Sequence, residues 1–150
     1  MNASLVSLLP VTRDNYEAIC DLPLSEAQKP MLASNTWSLL EAAYNPGYQV
    51  RAIQAGTDLV GFMMWVPQSA QRVSIWRFMI ALPHQGRGLG SLALQAAIRE
   101  IAADPAVREL EICYHPDNEG SRRLYARHGF VEQGLDEEGE DMLALLQLVR

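Results

Sequence analysis

A glycine-rich stretch, Gln85-Gly86-Arg87-Gly88-Leu89-Gly90, carries the clearest chemical signal in this sequence. Glycines at alternate positions let the main chain approach a ligand closely and adopt positive φ angles. Successive N–H groups can then face one concavity, and the N-terminus of a following helix adds positive potential. Such a nest binds phosphate, with Gln85 and Arg87 as further donors at its rim. The stretch therefore predicts a phosphate-bearing ligand.

Two better-known phosphate loops do not fit these residues. A P-loop reads GxxxxGK[ST], whereas here Ser91 follows Gly90 directly and no lysine stands between them. The dinucleotide fingerprint reads GxGxxG, whereas this stretch reads G-x-G-x-G and follows three strands of antiparallel character. A tight strand-to-helix turn without a ligand is the structural alternative.

The elements that position this stretch follow from hydrophobic periodicity and turn residues. A strand over SLVSLLPV, a helix capped by Thr12 that runs to Cys20, and a helix over 35–44 come first. YQVRAIQAG and LVGFMMWVP form a hairpin, and RVSIWRFMIAL is a third strand. A helix over 88–103, the strand VRELEICYH, a helix opened by Asp117 or Asn118, and two strands around DEEGED complete the chain. The order β-α-α-β-β-β-α-β-α-β-β predicts one α/β domain over residues 1–150 with a mostly antiparallel sheet.

Composition restricts the class of ligand. The 150 residues include 18 acidic and 12 basic side chains, which gives a net charge of -6. A nucleic-acid partner is not expected, because phosphate backbones bind basic faces, whereas an acidic protein suits a cationic ligand. Neither a signal peptide nor an apolar run of roughly 20 residues is evident, so we expect no membrane association. Two cysteines, Cys20 and Cys113, favour a reducing, cytoplasmic location, and no His/Cys cluster indicates a metal.

Two motifs together resemble those of the GCN5-related N-acetyltransferase (GNAT) family. Residues 85–90 resemble the Q/R-x-x-G-x-G/A signature, and the preceding WRFMIALP resembles the central strand. HPDNEGSRRLYARHGF resembles the motif N-x-x-(S/A)-x-x-L-Y-x-x-x-G-F, a match carried by Asn118, Ser121, Leu124, Tyr125, Gly129 and Phe130. The resemblance implies a mixed, mostly antiparallel sheet of six or seven strands, with about four helices and splayed central strands.

The same resemblance implies an enzyme that transfers an acetyl group from acetyl-CoA to an amine. The glycine nest would hold the CoA pyrophosphate, and the main chain of the central strand would pair with the pantetheine arm. Asn118 would bond that arm, and Tyr125 would protonate the leaving thiolate. The implied cofactor-binding residues are Phe78, Met79, Ile80, Gln85, Gly86, Arg87, Gly88, Leu89, Gly90, Ser91, Asn118, Ser121 and Tyr125.

Asn118 and Tyr125 each have a structural alternative to the role that the resemblance implies. Asn118, Arg122 and Tyr125 lie at helical spacing and would share one face. Proton transfer from a phenol of pKa ~10 to a thiolate of pKa ~8.5 is uphill by roughly 2 kcal/mol, which a shaped site can offset. Tyr125 could instead pack at a helix–sheet seam, and Asn118 could serve as a helix N-cap.

The acceptor amine must lose a proton before it attacks. For an amine of pKa ~10.4, this costs about 4–5 kcal/mol at pH 7. The strand VSIWRFMIAL has no Asp or Glu, so Glu26 and Glu41, which flank Trp37, are candidates for the base and for binding a cation. Trp37, together with Trp76 and Arg77 on the strand that faces the cleft, completes the predicted substrate-binding set, and Arg77 could either structure the site or reject the wrong amine. The alternatives are solvated helix charges for the glutamates and core packing for Trp37.

The segment LPLSEAQKPMLASNTWSLLEA further resembles the bacterial polyamine acetyltransferases of this family, through Gln28, Asn35, Ser38, Leu39, Glu41 and Ala42. This implies spermine or spermidine as acceptor, direct attack in a ternary complex, and a homodimer. The acidic turn at 136–141 could attract a polycation or could be a solvated hairpin tip. A peptide or protein N-terminus, an amino acid or a drug amine is the enzymatic alternative, and a non-catalytic CoA-binding module is the other.

Overall fold

Seven strands form one sheet in the order β1-β2-β3-β4-β5-β7-β6 in the computed structural model, which describes residues 6–149. Every neighbouring pair is antiparallel except β4 and β5, which run parallel. The elements are β1 Val6–Pro10, α1 Tyr16–Cys20, α2 Asn35–Tyr44, β2 Gln49–Ala55, β3 Asp58–Pro67, β4 Arg72–Ile80, α3 Leu89–Ala102, β5 Glu109–Tyr114, α4 Glu119–Arg127, β6 Val131–Leu135 and β7 Met142–Gln147. Short 3₁₀ turns occupy Lys29–Met31 and Leu82–His84.

The fold class predicted from the sequence is confirmed, including the element order and the mostly antiparallel sheet. The start of α1 differs from the prediction. Thr12 does not cap it, because its carbonyl and hydroxyl accept from Asn15 and Asp14 in a turn that precedes the helix. The helix begins at Tyr16 after Asn15, which makes no side-chain cap. A turn stabilised by the Thr12 side chain competes with a longer helix.

The central strands part after a short stretch of pairing. Parallel pairing of β4 with β5 runs from Arg72 opposite Glu109 to Ile75 opposite Ile112. Beyond this point, β4 continues to Ile80 and pairs only with β3 among the residues described. The outer side of residues 76–80 therefore carries main-chain groups that no neighbouring strand satisfies, as the prediction of splayed strands required.

A β-bulge at Trp76 changes the face of the sheet on which the later side chains of β4 lie. It comes immediately after Ile75, the last residue of β4 that pairs with β5. The register with β3 passes from Ile75 opposite Trp65 to Arg77 opposite Met64, which leaves Trp76 as the extra residue. An extra residue moves every later side chain to the other face. Ile75 and Phe78 consequently share one face, whereas Trp76 packs with the cluster on the opposite face.

Two apolar cores lie on the two faces of the sheet. Helices α3 and α4 cover one face, where Leu94 and Ile112 are almost completely buried. Helices α1 and α2 cover the other face, which includes Ile19 and Phe62. Burial of each such side chain stabilises the fold by about 1.5–3 kcal/mol. These two cores hold β4 rigidly between the helices that form the site.

The helical periodicity of α2 identifies its exposed side rather than its core side. Trp37, Leu40 and Tyr44 are 59%, 51% and 82% exposed. Ser38 is the buried member, and its hydroxyl donates to the Ser34 carbonyl at 3.0 Å. Core packing, the structural alternative for Trp37, is therefore wrong. The small side chain at 38 lets the helix approach the sheet on that face.

Candidate active site

A cavity of about 320 Å³ opens between the beginning of α3, the inner face of α4 and the unpaired part of β4. All the predicted cofactor residues except Arg87 line it. Its opposite wall is formed by Leu24, Gln28 and Leu32, which belong to the connection between α1 and α2. Sequence patterns did not indicate these three as lining residues, because irregular connections have no periodicity that reveals their packing.

The glycine loop has the conformation that a phosphate nest requires. Gly86 and Gly88 have φ angles of +76° and +78°, and a Cβ added at either would meet no atom within 4 Å. Gly88 is the N-cap of α3, so the first N–H groups of this helix have no capping side chain. Gly90 differs because it lies inside the helix, where a Cβ would contact Leu124 at 3.5 Å. The bare loop and the helix end fit a diphosphate group.

The cation beside this cavity is not the one predicted. Arg87 is exposed, and its Nη1 lies 3.1 Å from Nδ1 of His84. Arg127, near the end of α4, lines the cavity instead. It lies one helical turn beyond Leu124, another lining residue, so the spacing along α4 could have identified it. Arg127 thus provides positive charge at the cavity.

The side chain of Gln85 is engaged within the protein. Its Nε2 donates to the Ile80 carbonyl at 2.8 Å and to Gln28 Oε1 at 2.9 Å. These two hydrogen bonds use both amide hydrogens. Gln85 therefore contributes its main chain to the nest, while its side chain joins two walls of the cavity.

Helix α4 presents Asn118 and Tyr125 to the cavity, as the motif implied. Asn118 Oδ1 accepts from the Ser121 main-chain N–H at 3.1 Å, which caps the helix and leaves the side-chain amide nitrogen as a donor. Tyr125 is 4% exposed, and its ring packs against Phe78 and Tyr114 at centroid distances of 6.3 and 5.3 Å. Burial raises the pKa of Tyr125 well above its usual value, so the phenol keeps its proton at neutral pH.

A hydrogen-bond network lies behind Tyr125. The Tyr114 hydroxyl bonds to Glu132, and Arg122 Nε donates to the same carboxylate at 2.9 Å. Burial, with the Glu132 hydrogen bond, raises the pKa of Tyr114 to about 12. Arg122 thus pairs with β6 and lies outside the cavity, although its spacing predicted a face shared with Asn118. This network fixes α4 against β5 and β6.

The predicted acceptor residues do not converge on one site. Glu41 Oε1 accepts from Arg77 Nη2 at 2.7 Å, and both side chains are largely buried between α2 and β4. Glu26 is 89% exposed and pairs with Lys29 at 3.0 Å. Neither glutamate lines this cavity or the more open one described below. Their ion pairs give both carboxylates a structural partner, so we assign neither as the base.

Trp76 and Arg77 form a stacked unit on the face covered by α2. The Arg77 guanidinium lies 6.0 Å from the Trp76 ring, which also meets Tyr48 edge-on at 5.5 Å. Arg77 Nε is buried and has no hydrogen-bond partner among residues 6–149. Arg77 therefore retains one unused donor near the free end of β4.

A second, more open cavity of about 620 Å³ lies between the α1–α2 connection and the β6–β7 turn. Its walls include Leu32, which also lines the first cavity, and the acidic pair Glu140 and Asp141. His115 lines it as well, but its Nδ1 accepts from the Asp117 N–H at 3.1 Å. The neutral ring then carries its proton on Nε2 and has no free lone pair for a base.

Other chemistries find little support in the described part of the chain. No group of three His, Cys, Asp or Glu side chains among residues 6–149 could hold a metal ion. Burial raises the pKa of the Cys113 thiol to about 11, which suppresses its nucleophilicity. Over the same residues, none of the helices has the length and apolar character needed to cross a bilayer.

Residues 13–130 match the family model described as the acetyltransferase (GNAT) family, and the chain belongs to this family. The prediction of an N-acetyltransferase that uses acetyl-CoA is thereby confirmed. The chain is 32% identical to the spermine/spermidine N(1)-acetyltransferase of Bacillus subtilis strain 168, over 92% of this chain and 96% of that protein. A shorter segment is similar to an L-2,4-diaminobutyric acid acetyltransferase of Streptomyces anulatus. The identity there is 31% over 62 residues, which cover 41% of this chain and 35% of that protein.

Among solved structures, the fold matches a spermidine N-acetyltransferase of Vibrio cholerae crystallised with CoA and spermine. The TM-score is 0.78 at 16% identity, over 96% of this chain and 96% of that chain. At this identity the comparison establishes a common fold.

Proposed function

We propose that this chain acetylates a primary amine of a polyamine, such as spermine or spermidine, by direct attack in a ternary complex. The observation that carries this proposal is a pair of cavities that share Leu32 as a lining residue: one is bordered by the glycine loop and the other by Glu140 and Asp141. Near full-length similarity to the Bacillus subtilis polyamine enzyme supports the same acceptor class.

The first cavity suits acetyl-CoA, which supplies the acetyl thioester. The main-chain N–H groups from Gln85 to Gly90 would hold the pyrophosphate, with Arg127 adding a charge. The main chain of Phe78, Met79 and Ile80 would pair with the pantetheine arm on the side away from β3, because β5 no longer pairs with β4 there. Asn118 would donate through its side-chain amide nitrogen, since its oxygen is committed to the helix cap.

Tyr125 is our assignment for the general acid. It lines the first cavity next to Phe78, and burial keeps it protonated. The proton would pass from its hydroxyl to the leaving thiolate, while Ser121 supports the phenol oxygen by a hydrogen bond. This transfer leaves a phenolate on Tyr125, which burial disfavours and which the Ser121 hydrogen bond would stabilise, because that bond lowers the pKa of the phenol.

The second cavity would receive the acceptor. Glu140 and Asp141 belong to a turn that also contains Asp136, Glu137 and Glu138, and the whole chain carries a net charge of -6. A polycation is drawn to such a surface by long-range attraction that salt weakens. The base would be water, because Glu41 pairs with Arg77, Glu26 pairs with Lys29 on the surface, and His115 Nδ1 accepts from the Asp117 N–H.

A panel of amines tests this proposal through the release of free CoA. We expect turnover of spermine and spermidine, with an acceptor KM that rises severalfold when ionic strength increases from about 0.05 to 0.5 M. A primary monoamine, which carries a single positive charge at pH 7, serves as the matched control and should show a smaller salt dependence. Turnover of peptides or aminoglycosides without turnover of either polyamine would contradict the polyamine assignment.

A carboxylate-bearing diamine is the second candidate, and Arg77 is the observation that favours it. Its buried Nε has no partner among the described residues and could bind a carboxylate. Similarity to the diaminobutyrate enzyme points the same way over a limited segment. The variant Arg77→Met separates the two: it should abolish turnover of 2,4-diaminobutyrate if this candidate is right, and should spare the polyamines if ours is.

A cytoplasmic location and a homodimer stay predictions. Gel filtration with light scattering measures the second, and a monomeric mass would contradict it.

A further inference from the structure

The wall formed by Leu24, Gln28 and Leu32 has little regular structure to hold it. Between α1 and α2, the structure has only the single 3₁₀ turn Lys29–Met31. Two hydrogen bonds tie this connection to the residues that follow β4. Leu82 N–H donates to the Pro23 carbonyl at 2.8 Å, and Gln85 Nε2 donates to Gln28 Oε1 at 2.9 Å.

The orientation of both glutamine side chains is fixed by main-chain groups. The Ile80 carbonyl can only accept, so the nitrogen of Gln85 must face it, at 2.8 Å. The same nitrogen then meets Gln28, which must present its oxygen. The Ser25 N–H, which can only donate, points to the same Gln28 oxygen at 3.2 Å. The hydrogen bonds that join Ile80, Gln85 and Gln28, here called the relay, therefore have only one possible arrangement of donors and acceptors.

We propose that Gln28 and Gln85 are positioning residues that hold the acceptor-side wall against the cofactor strand. This inference rests on the proposed function, which assigns the end of β4 to the cofactor arm and the α1–α2 connection to the acceptor. Since acyl transfer depends on sub-ångström placement of the amine, loss of the relay raises the acceptor KM more than it weakens cofactor binding. The connection becomes more mobile when either residue is changed.

Three variants at these two positions test the relay. Gln28→Leu removes the acceptor oxygen at similar volume, and we expect a rise of about tenfold in the acceptor KM. The Kd of CoA, measured by direct titration, should stay within about threefold.

Gln28→Glu keeps an oxygen for Gln85 and Ser25, so its acceptor KM should stay near that of the wild type. Gln85→Leu should match Gln28→Leu in acceptor KM, and the double variant should be no worse than either. Gln133→Leu, on exposed β6, is the matched control and should change nothing.

Additive effects of the two leucine variants on the acceptor KM would overturn the proposal. An unchanged KM in Gln28→Leu, or equal damage from Gln28→Glu, would also overturn it. Amide hydrogen exchange over residues 22–33 provides a readout that does not need turnover. Both leucine variants should speed it, and unchanged exchange would count against the relay. Failure of the wild type to acetylate any amine would instead refute the proposed function, with hydrogen exchange still deciding the relay.

Discussion

His128 Nε2 lies 2.7 Å from Ser91 Oγ, and this hydrogen bond joins the end of α4 to the first turn of α3. Ser91 lines the first cavity, and Arg127 beside His128 lines it as well. Burial, with the neighbouring Arg127 charge, lowers the pKa of His128. The helix that begins at the glycine loop is thus linked to α4 through a histidine that is neutral at pH 7.

This link predicts a loss of stability in mild acid. In the unfolded chain His128 binds a proton near its ordinary pKa of about 6.5, whereas the folded chain resists protonation until lower pH. The free energy of unfolding should therefore be highest above about pH 6.5 and fall as the pH drops through this region. Urea unfolding of wild type and His128→Asn at pH 7.5 and 5.5 measures the difference.

The substitution should flatten the pH dependence between these two values. His84→Asn is the control, because His84 lies outside the α3–α4 link and pairs with exposed Arg87. An identical pH dependence in wild type and His128→Asn would show that other groups are responsible. The pKa values of Glu109 and Glu132 are lowered, so these carboxylates gain protons only below pH 5.5. They therefore do not contribute to the change in the free energy of unfolding between pH 7.5 and 5.5.

Removal of the Tyr125 hydroxyl should separate catalysis from binding. Tyr125→Phe keeps the ring that packs against Phe78 and Tyr114 and removes the proton donor. We expect kcat to fall by about 10²–10³-fold, with the Kd of CoA nearly unchanged. Tyr114→Phe is the matched control: it breaks the bond to Glu132 and lowers stability while kcat stays within a few fold. Unaltered turnover in Tyr125→Phe would refute its role as general acid.

Two glycines of equal conformation distinguish backbone strain from ligand contact. Gly88→Ala and Gly56→Ala each place a Cβ at positive φ, +78° and +62°, with no atom within 4 Å. Each should lower the free energy of unfolding by about 1 kcal/mol. Only the Gly88 variant should weaken CoA binding, by about tenfold or more, because Gly56 lies in the β2–β3 turn. Equal CoA affinity in both variants would mean that the loop does not cradle the cofactor.

The Glu41–Arg77 pair should contribute to stability more than to chemistry. Glu41→Gln leaves a largely buried guanidinium without its counter-charge and should cost about 1–2 kcal/mol, less than for a fully buried pair. Glu26→Gln, at an exposed ion pair, should cost almost nothing. Both variants should keep kcat within about threefold. A loss of activity in Glu41→Gln at unchanged stability would restore this carboxylate as the base.

Local signals in the sequence predicted the parts of the site that depend on local conformation. The glycine loop follows from residue type, Asn118 is one of the two residues from which the sequence could cap α4, and the position of Tyr125 at the cavity agrees with the resemblance to the family motif. Contacts between distant segments did not. The pairing of Gln28 with Gln85 and of Glu41 with Arg77 depends on how the α1–α2 connection folds over β4, which no periodicity encodes. The exposure of Trp37 likewise depends on which side of α2 meets the sheet.

The separation of β4 from β5 beyond Ile75 has a consequence for how such an enzyme can evolve. An acyl donor bound there would be recognised by main-chain N–H and C=O groups, and every residue except proline has both. Side chains from 76 to 80 could then change, within the limits of their packing, without loss of these hydrogen bonds, and the choice of amine could change while the thioester partner stays constant. A proline within residues 76–80 is the one replacement that would disturb both recognition of the acyl donor and the choice of amine.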